Sequence, residues 1–222
     1  MTRVLIADDQ PLIRQAVADI LDVHDDIDVI AQAVDGREAV ALAGELRPDV
    51  IVMDIRMPEL DGIAATAEIC ADPALEQTKV LILTTFEEDE YLVAALRAGA
   101  SGFVGKGAEP EEIIRAVRAV HVGDALLSPL ATRALIDRFV APSLPAAAME
   151  RSPVLAALTE REQEVLLMVA KGRSNQEIAD ELVISPHTAK THVNRIMVKV
   201  HAHDRAQLVI LAYESGLLKP GQ

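Results

Sequence analysis

Two adjacent acids, Asp8 and Asp9, follow directly on the apolar run Arg3-Val4-Leu5-Ile6-Ala7, and a third, Asp54, ends the run Val50-Ile51-Val52-Met53. If both runs are parallel strands, the three carboxylates converge at one sheet edge. Carboxylates so crowded repel unless a proton or a cation intervenes. A hard dication with oxygen ligands, Mg²⁺ above all, suits them. Two further polar residues end apolar runs: Thr84 follows Val80-Leu81-Ile82-Leu83, 30 residues after Asp54, and Lys106 follows Gly102-Phe103-Val104-Gly105, 52 residues after it. Two acids for a metal, a lone acid, a hydroxyl and a lysine make a workable phosphoryl-transfer set. Asp54 is then the nucleophile, and Mg²⁺ with Lys106 neutralises the phosphoryl oxygens. The plainer alternative makes Asp8 and Asp9 turn or cap residues before a helix opened by Pro11.

Such convergence needs a particular framework, and the first 123 residues carry its pattern. Strand-like runs at 3–7, 28–33, 50–53, 79–84 and 102–104 alternate with helical patterns at about 11–23, 37–46, 61–71, 88–98 and 110–122. Val50–Met53 and Val80–Leu83 are continuous apolar runs, as expected of parallel strands buried on both faces. Five β-α repeats predict an α/β fold, an open doubly wound parallel sheet of five strands with right-handed crossovers. Sheets of this kind bind ligands at the carboxyl ends of their strands, near the point where strand order switches. Asp8, Asp9, Asp54 and Thr84 all fall there.

From about residue 124 the alternation stops. Ser128-Pro129 reads as the start of a helix to about Val140, and Ala141-Pro142-Ser143-Leu144-Pro145-Ala146-Ala147-Ala148 as a linker. Four helical patterns follow, at 159–171, 174–182, 185–201 and 205–215, with no strand. Thr159 with Glu162 fits a capping box, Ser174 begins the next helix, and Ser185-Pro186 supplies an N-cap with Pro at the first helical position. The expected domains are therefore 1–123, a helix and linker over 124–153, and a small all-α domain over 154–222.

The 222 residues suffice for one or two full cores; half are hydrophobic but only 2% aromatic, so Ala, Val, Leu and Ile must fill them. A lone cysteine, Cys70, forms no internal disulfide and reads as a small buried apolar residue. The N-terminus has no apolar h-region, and no run reaches about 18 apolar residues. A soluble, cytoplasmic protein without membrane contact is expected. Charge is uneven: residues 1–123 hold 24 acids against 10 Lys and Arg, the whole of the net −14, whereas 154–222 hold 8 against 8. An acidic average usually argues against nucleic acid; here the average conceals a neutral C-terminal segment.

That segment reads as a helix-turn-helix, 174–182 positioning and 185–201 recognising, against the plainer alternative of a bundle serving only dimerisation. Ile178, Ala179, Leu182, Val183 and Ile184 suit a packed corner. The second helix keeps His187, Lys190, Thr191, Asn194, Arg195 and Lys199 for its polar face, and 185–203 contains no acid, as proximity to phosphates requires. Four histidines (His187, His192, His201, His203) follow no zinc spacing and have no cysteine beside them.

These residues carry a resemblance. Asp8-Asp9, Met53-Asp54-Ile55-Arg56-Met57-Pro58-Glu59-Leu60-Asp61-Gly62, Leu83-Thr84-Thr85-Phe86 and Phe103-Val104-Gly105-Lys106 resemble, in order and spacing, a response-regulator receiver domain of flavodoxin-like fold. Leu158-Thr159-Glu160-Arg161-Glu162, Ser174-Asn175-Gln176-Glu177-Ile178-Ala179 and Thr188-Ala189-Lys190-Thr191-His192-Val193 are similar to the LuxR-type DNA-binding domain. Together the arrangement resembles the NarL/FixJ family of two-component response regulators. The resemblance implies that Asp54 accepts a phosphoryl group from a histidine kinase. It also implies that Asp8, Asp9, Asp54 and the Arg56 main-chain carbonyl hold Mg²⁺, and that Thr84 and Phe103 form a switch pair. Thr85, bulkier than the residue often found there, is expected to slow water's approach to the acyl phosphate. The resemblance further implies base reading by Lys190, Thr191 and Asn194, and phosphate contacts by Ser185, Thr188, Arg195 and Lys199. A homodimer on inverted-repeat half-sites of double-stranded DNA would pair through the last helix, with Val209, Leu211 and Ala212 as candidate contacts; core packing is the equal alternative for these three. Two departures stand out: Ala189 replaces the usual Val, and Val200-His201 replaces the usual Leu-Gly, which leaves open where the recognition helix ends.

The expected protein is a transcriptional regulator rather than an enzyme, its receiver taking part only in its own phosphorylation and dephosphorylation. A regulator working without phosphorylation would usually lack part of the acid, Thr and Lys set. An aspartyl-phosphate phosphatase typically needs a general acid two residues after the nucleophile, where this chain has Arg56. A pure interaction module leaves the acid-free helix without a purpose.

Overall fold

The computed structural model describes residues 1–84, 89–122, 153–202 and 205–218. The chain divides into two compact units, Met1–Leu126 and Leu127–Gln222. Thr85, the helix expected over 128–140, the linker at 141–148 and His203 lie outside the described residues.

In the first unit the aliphatic runs form strands β1 (Thr2–Ala7), β2 (Ile27–Ala33), β3 (Val50–Asp54), β4 (Lys79–Thr84) and β5 (Gly102–Gly105). All pair in parallel, in the order β2-β1-β3-β4-β5. Every residue of β3 is buried, and so is β4 beyond its first, because helices cover both faces. The helices are α1 (Pro11–Asp22), α2 (Gly36–Leu46), α3 (Gly62–Ala71), α4 (Asp89–Ala98) and α5 (Pro110–His121). Val17 and Leu21 of α1 pack with Ile113 and Val117 of α5 against Val4, Ile6, Val52 and Leu81. On α2 and α3 the buried positions are mostly small, Ala39, Ala43 and Ala65, which lets these helices lie close to their neighbours. Described element ends fall within one residue of those expected from sequence. The unanticipated element is a 3-10 turn, Pro73–Leu75, where the Asp72 carboxylate accepts from the Ala74 N–H.

The second unit contains α6 (Pro153–Ala156), which the pattern did not suggest, then α7 (Glu160–Ala170), α8 (Asn175–Leu182), α9 (Pro186–Val200) and α10 (Arg205–Glu214). Reciprocal hydrogen bonds between Thr159 and Glu162 open α7, and a second capping box, Ser174 with Glu177, opens α8. Between α8 and α9 only residues 183–185 intervene. The Ile184 N–H returns to the Ala179 carbonyl at 3.0 Å, and Ser185 Oγ caps α9 by accepting from the Thr188 N–H at 3.0 Å.

The corner differs from expectation in one respect. Ile178 and Ala179 are buried and Leu182 and Ile184 half-buried, but Val183 is 90% exposed. It occupies the left-handed region at φ 55°, and that backbone turns its side chain outward. The end of α9 is also settled. The helix stops at Val200, and His201 takes the left-handed conformation (φ 55°, ψ 36°) for which glycine has no steric penalty. His201→Gly is therefore expected to stabilise the second unit by about 0.5–1 kcal/mol; urea titration of the full chain, followed by amide signals of α7 and α9, measures it.

Candidate functional site

β1 and β3 are paired neighbours, Ala7 opposite Met53, at the point where successive strands depart in opposite directions across the sheet. The residues that follow therefore meet. One ligand oxygen from each of Asp8, Asp9 and Asp54 lies within 4.8 Å of the others. Asp8 is fully buried, Asp54 nearly so, and Asp9 exposed. The two oxygens of Asp8 have separate duties. Oδ1 accepts from the Gln10 N–H at 2.8 Å and fixes the turn. Oδ2 is buried without a hydrogen-bond partner. It has instead the Lys106 ammonium at 2.9 Å, and the same Nζ lies 2.9 Å from Asp54 Oδ2. Asp54 Oδ1 accepts from the Ile55 N–H at 2.9 Å.

Lys106 follows β5, and its N–H donates to the Thr84 carbonyl at 2.7 Å, so lysine and threonine are placed together. Thr84 and Phe103 are both buried; Arg56 is exposed on the loop after Asp54. That loop is held from below. The Gly62 N–H donates to the Ile55 carbonyl at 2.8 Å, and a Cβ on Gly62 would overlap the carbonyl oxygen of Asp54. Gly36 presses in the same way on the Leu60 carbonyl.

Burial raises the Asp54 carboxyl above its ordinary value; pairing with Lys106 opposes this and the charge of Asp8 reinforces it. Burial would depress the Lys106 ammonium, but its ion pairs with Asp8 and Asp54 together outweigh that and raise it. Three ionised carboxylates and one ammonium leave a formal charge of −2, and the buried Asp8 Oδ2 has no partner besides Lys106, which it shares with Asp54. An oxygen-seeking dication fits both facts.

Sequence patterns did not reveal Arg14. On the first turn of α1 its guanidinium donates to the Asp8 carbonyl at 2.7 Å and to Gln32 Oε1 at 3.2 Å, steadying the turn that carries two of the acids. A helical arginine near an acidic turn was the available signal.

In the second unit, α9 buries Ala189, Val193 and Ile196. The opposite side exposes His187, Lys190, Asn194 and Arg195, with Thr191 half-exposed. The Thr191 hydroxyl donates to the His187 carbonyl at 2.9 Å, so outward it can only accept. Ser185 and Thr188 hydroxyls bond each other at 2.8 Å at the helix start. Lys199 is placed differently from the others: its ammonium is 2.7 Å from Glu162 Oε2 on α7. On α10, Val209 and Ala212 are buried and Leu211 half-exposed, so core packing takes two of the three candidate dimer contacts.

The Lys199 ammonium, with the Thr159 N–H behind it, holds the Glu162 carboxyl down at about 2, against an ordinary 4.5. A lowered folded value stabilises above pH about 4.5 and is lost as pH falls toward about 2. The melting difference between wild type and Glu162→Gln is accordingly expected to be constant above that window and to shrink through it, in calorimetric scans of the full chain.

A parallel sheet with an acidic switch point, joined to a helix-turn-helix unit, defines a regulator built from a phosphorylation sensor and a DNA-binding module. Residues 4–118 match the response regulator receiver domain, and residues 156–212 match the bacterial regulatory proteins of the luxR family. The chain belongs to the response regulators of the NarL/FixJ type, phosphorylation-dependent regulators of transcription. It is 40% identical over 217 residues to the uncharacterized transcriptional regulatory protein YxjL of Bacillus subtilis, covering 98% of this chain and 97% of that one. It is 38% identical to the response regulator protein VraR of Staphylococcus aureus, covering 98% and 99%. Among solved structures it resembles the response regulator ChrA of a heme-sensing two-component system, with 34% identity, 98% of both chains and a TM-score of 0.51. No helix among the described residues is long and apolar enough to cross a membrane.

Proposed function

We propose that Asp54 accepts a phosphoryl group from the phosphohistidine of a partner kinase in the cytoplasm. An Asp54 carboxylate oxygen attacks phosphorus as the P–N bond breaks, and the bonding pair stays on the imidazole nitrogen. Asp8, Asp9, Asp54 and the Arg56 carbonyl would hold Mg²⁺, which when bound would supply charge neutralisation to the phosphoryl oxygens. Lys106 exchanges its carboxylate contact for the phosphoryl group, and the Thr84 hydroxyl turns to donate to it. Phe103 packs behind the displaced threonine. New acceptors thus draw two donors inward and bias a two-state surface.

The receiver spans 1–123 and the DNA-binding domain 154–222 in this reading. Phosphorylation favours a homodimer whose α9 helices enter successive major grooves at inverted half-sites. Lys190, Thr191 and Asn194 meet base edges, and Ser185, Thr188 and Arg195 meet phosphates. Leu211 is the remaining contact candidate on α10.

The observation that carries this reading is one ammonium spanning two buried carboxylates at the carboxyl ends of adjacent parallel strands. Acetyl phosphate with Mg²⁺ is expected to phosphorylate the wild type and not Asp54→Ala, with an Asp54-dependent gain in dimer mass and DNA retardation. Equal labelling of both proteins would remove Asp54 from its role; labelling without a change in assembly or retardation would remove the coupling.

A further inference from the structure

Lys199 stands near the end of an acid-free helix, yet its amino group is committed to the neighbouring helix. Oε2 of Glu162 accepts from three donors: the Thr159 N–H at 2.8 Å, the Thr159 hydroxyl at 3.0 Å and Lys199 Nζ at 2.7 Å. The Glu162 side chain is 8% exposed and that of Lys199 39%. Swinging Lys199 to a DNA phosphate would leave a nearly buried carboxylate with one charge partner fewer and bring a second anion toward it. An orphaned buried charge is costly, whereas one exposed phosphate contact contributes little beyond counterion release. The ion pair is the better state, with or without DNA.

Position gives the pair its consequence. Glu162 lies in the first turn of α7 and Lys199 in the last turn of α9. The tie fixes the C-terminal end of α9 just before the left-handed cap at His201, where the Ala202 N–H also folds back to the Met197 carbonyl at 2.9 Å. With that end fixed and the N-terminal end capped by Ser185, the helix is held at both ends. A base-reading helix needs its side chains held to about 0.5 Å of the productive geometry.

We propose that Lys199 and Glu162 are positioning residues that set the angle of the recognition helix, and that Lys199 makes no phosphate contact. The proposal rests on the DNA-binding reading above and removes Lys199 from the phosphate contacts that the resemblance implies. A pair of zero net charge releases no counterions, so Lys199 is silent in the salt dependence of binding. Its effect falls on discrimination between sequences.

The experiment uses the full-length protein phosphorylated with acetyl phosphate. Its probes are two fluorescein-labelled duplexes, one carrying a site selected by the wild type from a random library and one carrying the same site scrambled. Anisotropy titrations across KCl concentrations give the slope of log K against log salt. Arg195→Gln is expected to lower that slope by about 0.9 for each DNA phosphate it no longer neutralises. Lys199→Gln is expected to leave it unchanged while shrinking the selected-to-scrambled affinity ratio about tenfold, and Lys199→Arg is expected to restore the ratio. Glu162→Gln keeps every cation of α9 and is expected to lose the ratio equally, which guards against a Lys199→Gln variant that fails to fold. A Lys199→Gln slope lower by about 0.9, or a Glu162→Gln variant with an undiminished ratio, overturns the assignment alone. A wild type that selects and retains no duplex overturns the DNA-binding reading, and this assignment with it.

Discussion

Gly62→Ala is expected to be among the most damaging single-methyl changes in the first unit, although the residue contributes no chemical group. The methyl would coincide with the Asp54 carbonyl oxygen and crowd the Ile55 Cα at 3.1 Å. Neither is a flexible side chain that could step aside. Relief requires moving either the start of α3 or the end of β3. The start of α3 is held by the Asp61 carboxylate accepting from the Ala64 N–H at 2.8 Å, and β3 is the middle strand of the sheet. Overpacking costs about 1–3 kcal/mol where side chains can adjust. A backbone-on-backbone clash belongs at the top of that range, so a loss of about 3 kcal/mol is expected in urea unfolding. A displacement of Asp54 by about 1 Å would slow phosphorylation about a hundredfold. Unchanged stability together with an unchanged acetyl phosphate labelling rate would show that the contact yields easily.

Lys106→Met should produce a second large effect, with a different signature. The ammonium lies 2.9 Å from both Asp8 and Asp54, and all three side chains are at most 11% exposed. Removing one member of a buried pair costs about 3–5 kcal/mol because the remaining charge is stranded. Here two are stranded, but the site has two remedies. Without Lys106, the influences left on Asp54 are burial and the Asp8 charge, which raise its carboxyl, and the Ile55 N–H, which lowers it. A raised folded value stabilises below the unfolded value of 3.8 and is lost as pH rises through the folded one. The deficit of the variant should therefore be smallest in acid and grow toward neutrality. The second remedy is Mg²⁺: a site of greater negative charge binds a dication more tightly. Unfolding midpoints with and without millimolar Mg²⁺ should differ more for Lys106→Met than for the wild type. A variant whose stability responds to neither pH nor Mg²⁺ would mean that the three acids do not share one electrostatic site.

Much of this was legible in the sequence for identifiable reasons. Strands buried on both faces announce themselves as unbroken aliphatic runs, and Val50–Asp54 and Lys79–Thr84 lie within a residue of where those runs placed them. Helix starts were readable because Thr159, Ser174 and Ser185 cap through side chains that the sequence names. What sequence could not convey was contact across the fold. Nothing local to Lys199 reveals that Glu162, 37 positions away, holds its amino group. Nothing near Gly62 announces a carbonyl beneath it. The corner residue Val183 misled because an apolar side chain suggests burial, whereas the left-handed backbone governs its direction. Val209 and Ala212 stayed open between two readings because a helix apolar on most sides leaves burial within the unit and burial between chains indistinguishable until its packing on α7 is seen.

The two close glycine contacts have a mechanical consequence. Gly36 bears on the carbonyl of Leu60, and Gly62 on that of Asp54, so main chain rests on main chain along the α2 and α3 side of the acidic cluster. On the other side, Lys106 meets the cluster through a long amine, its main chain bonded to the end of β4 at the Thr84 carbonyl. Asp54 is thus backed by an anvil on one flank and faced by a compliant side chain on the other. Any volume or charge added to Asp54 must be absorbed toward β4 and β5. Direction, as well as sensitivity, is built into the signal.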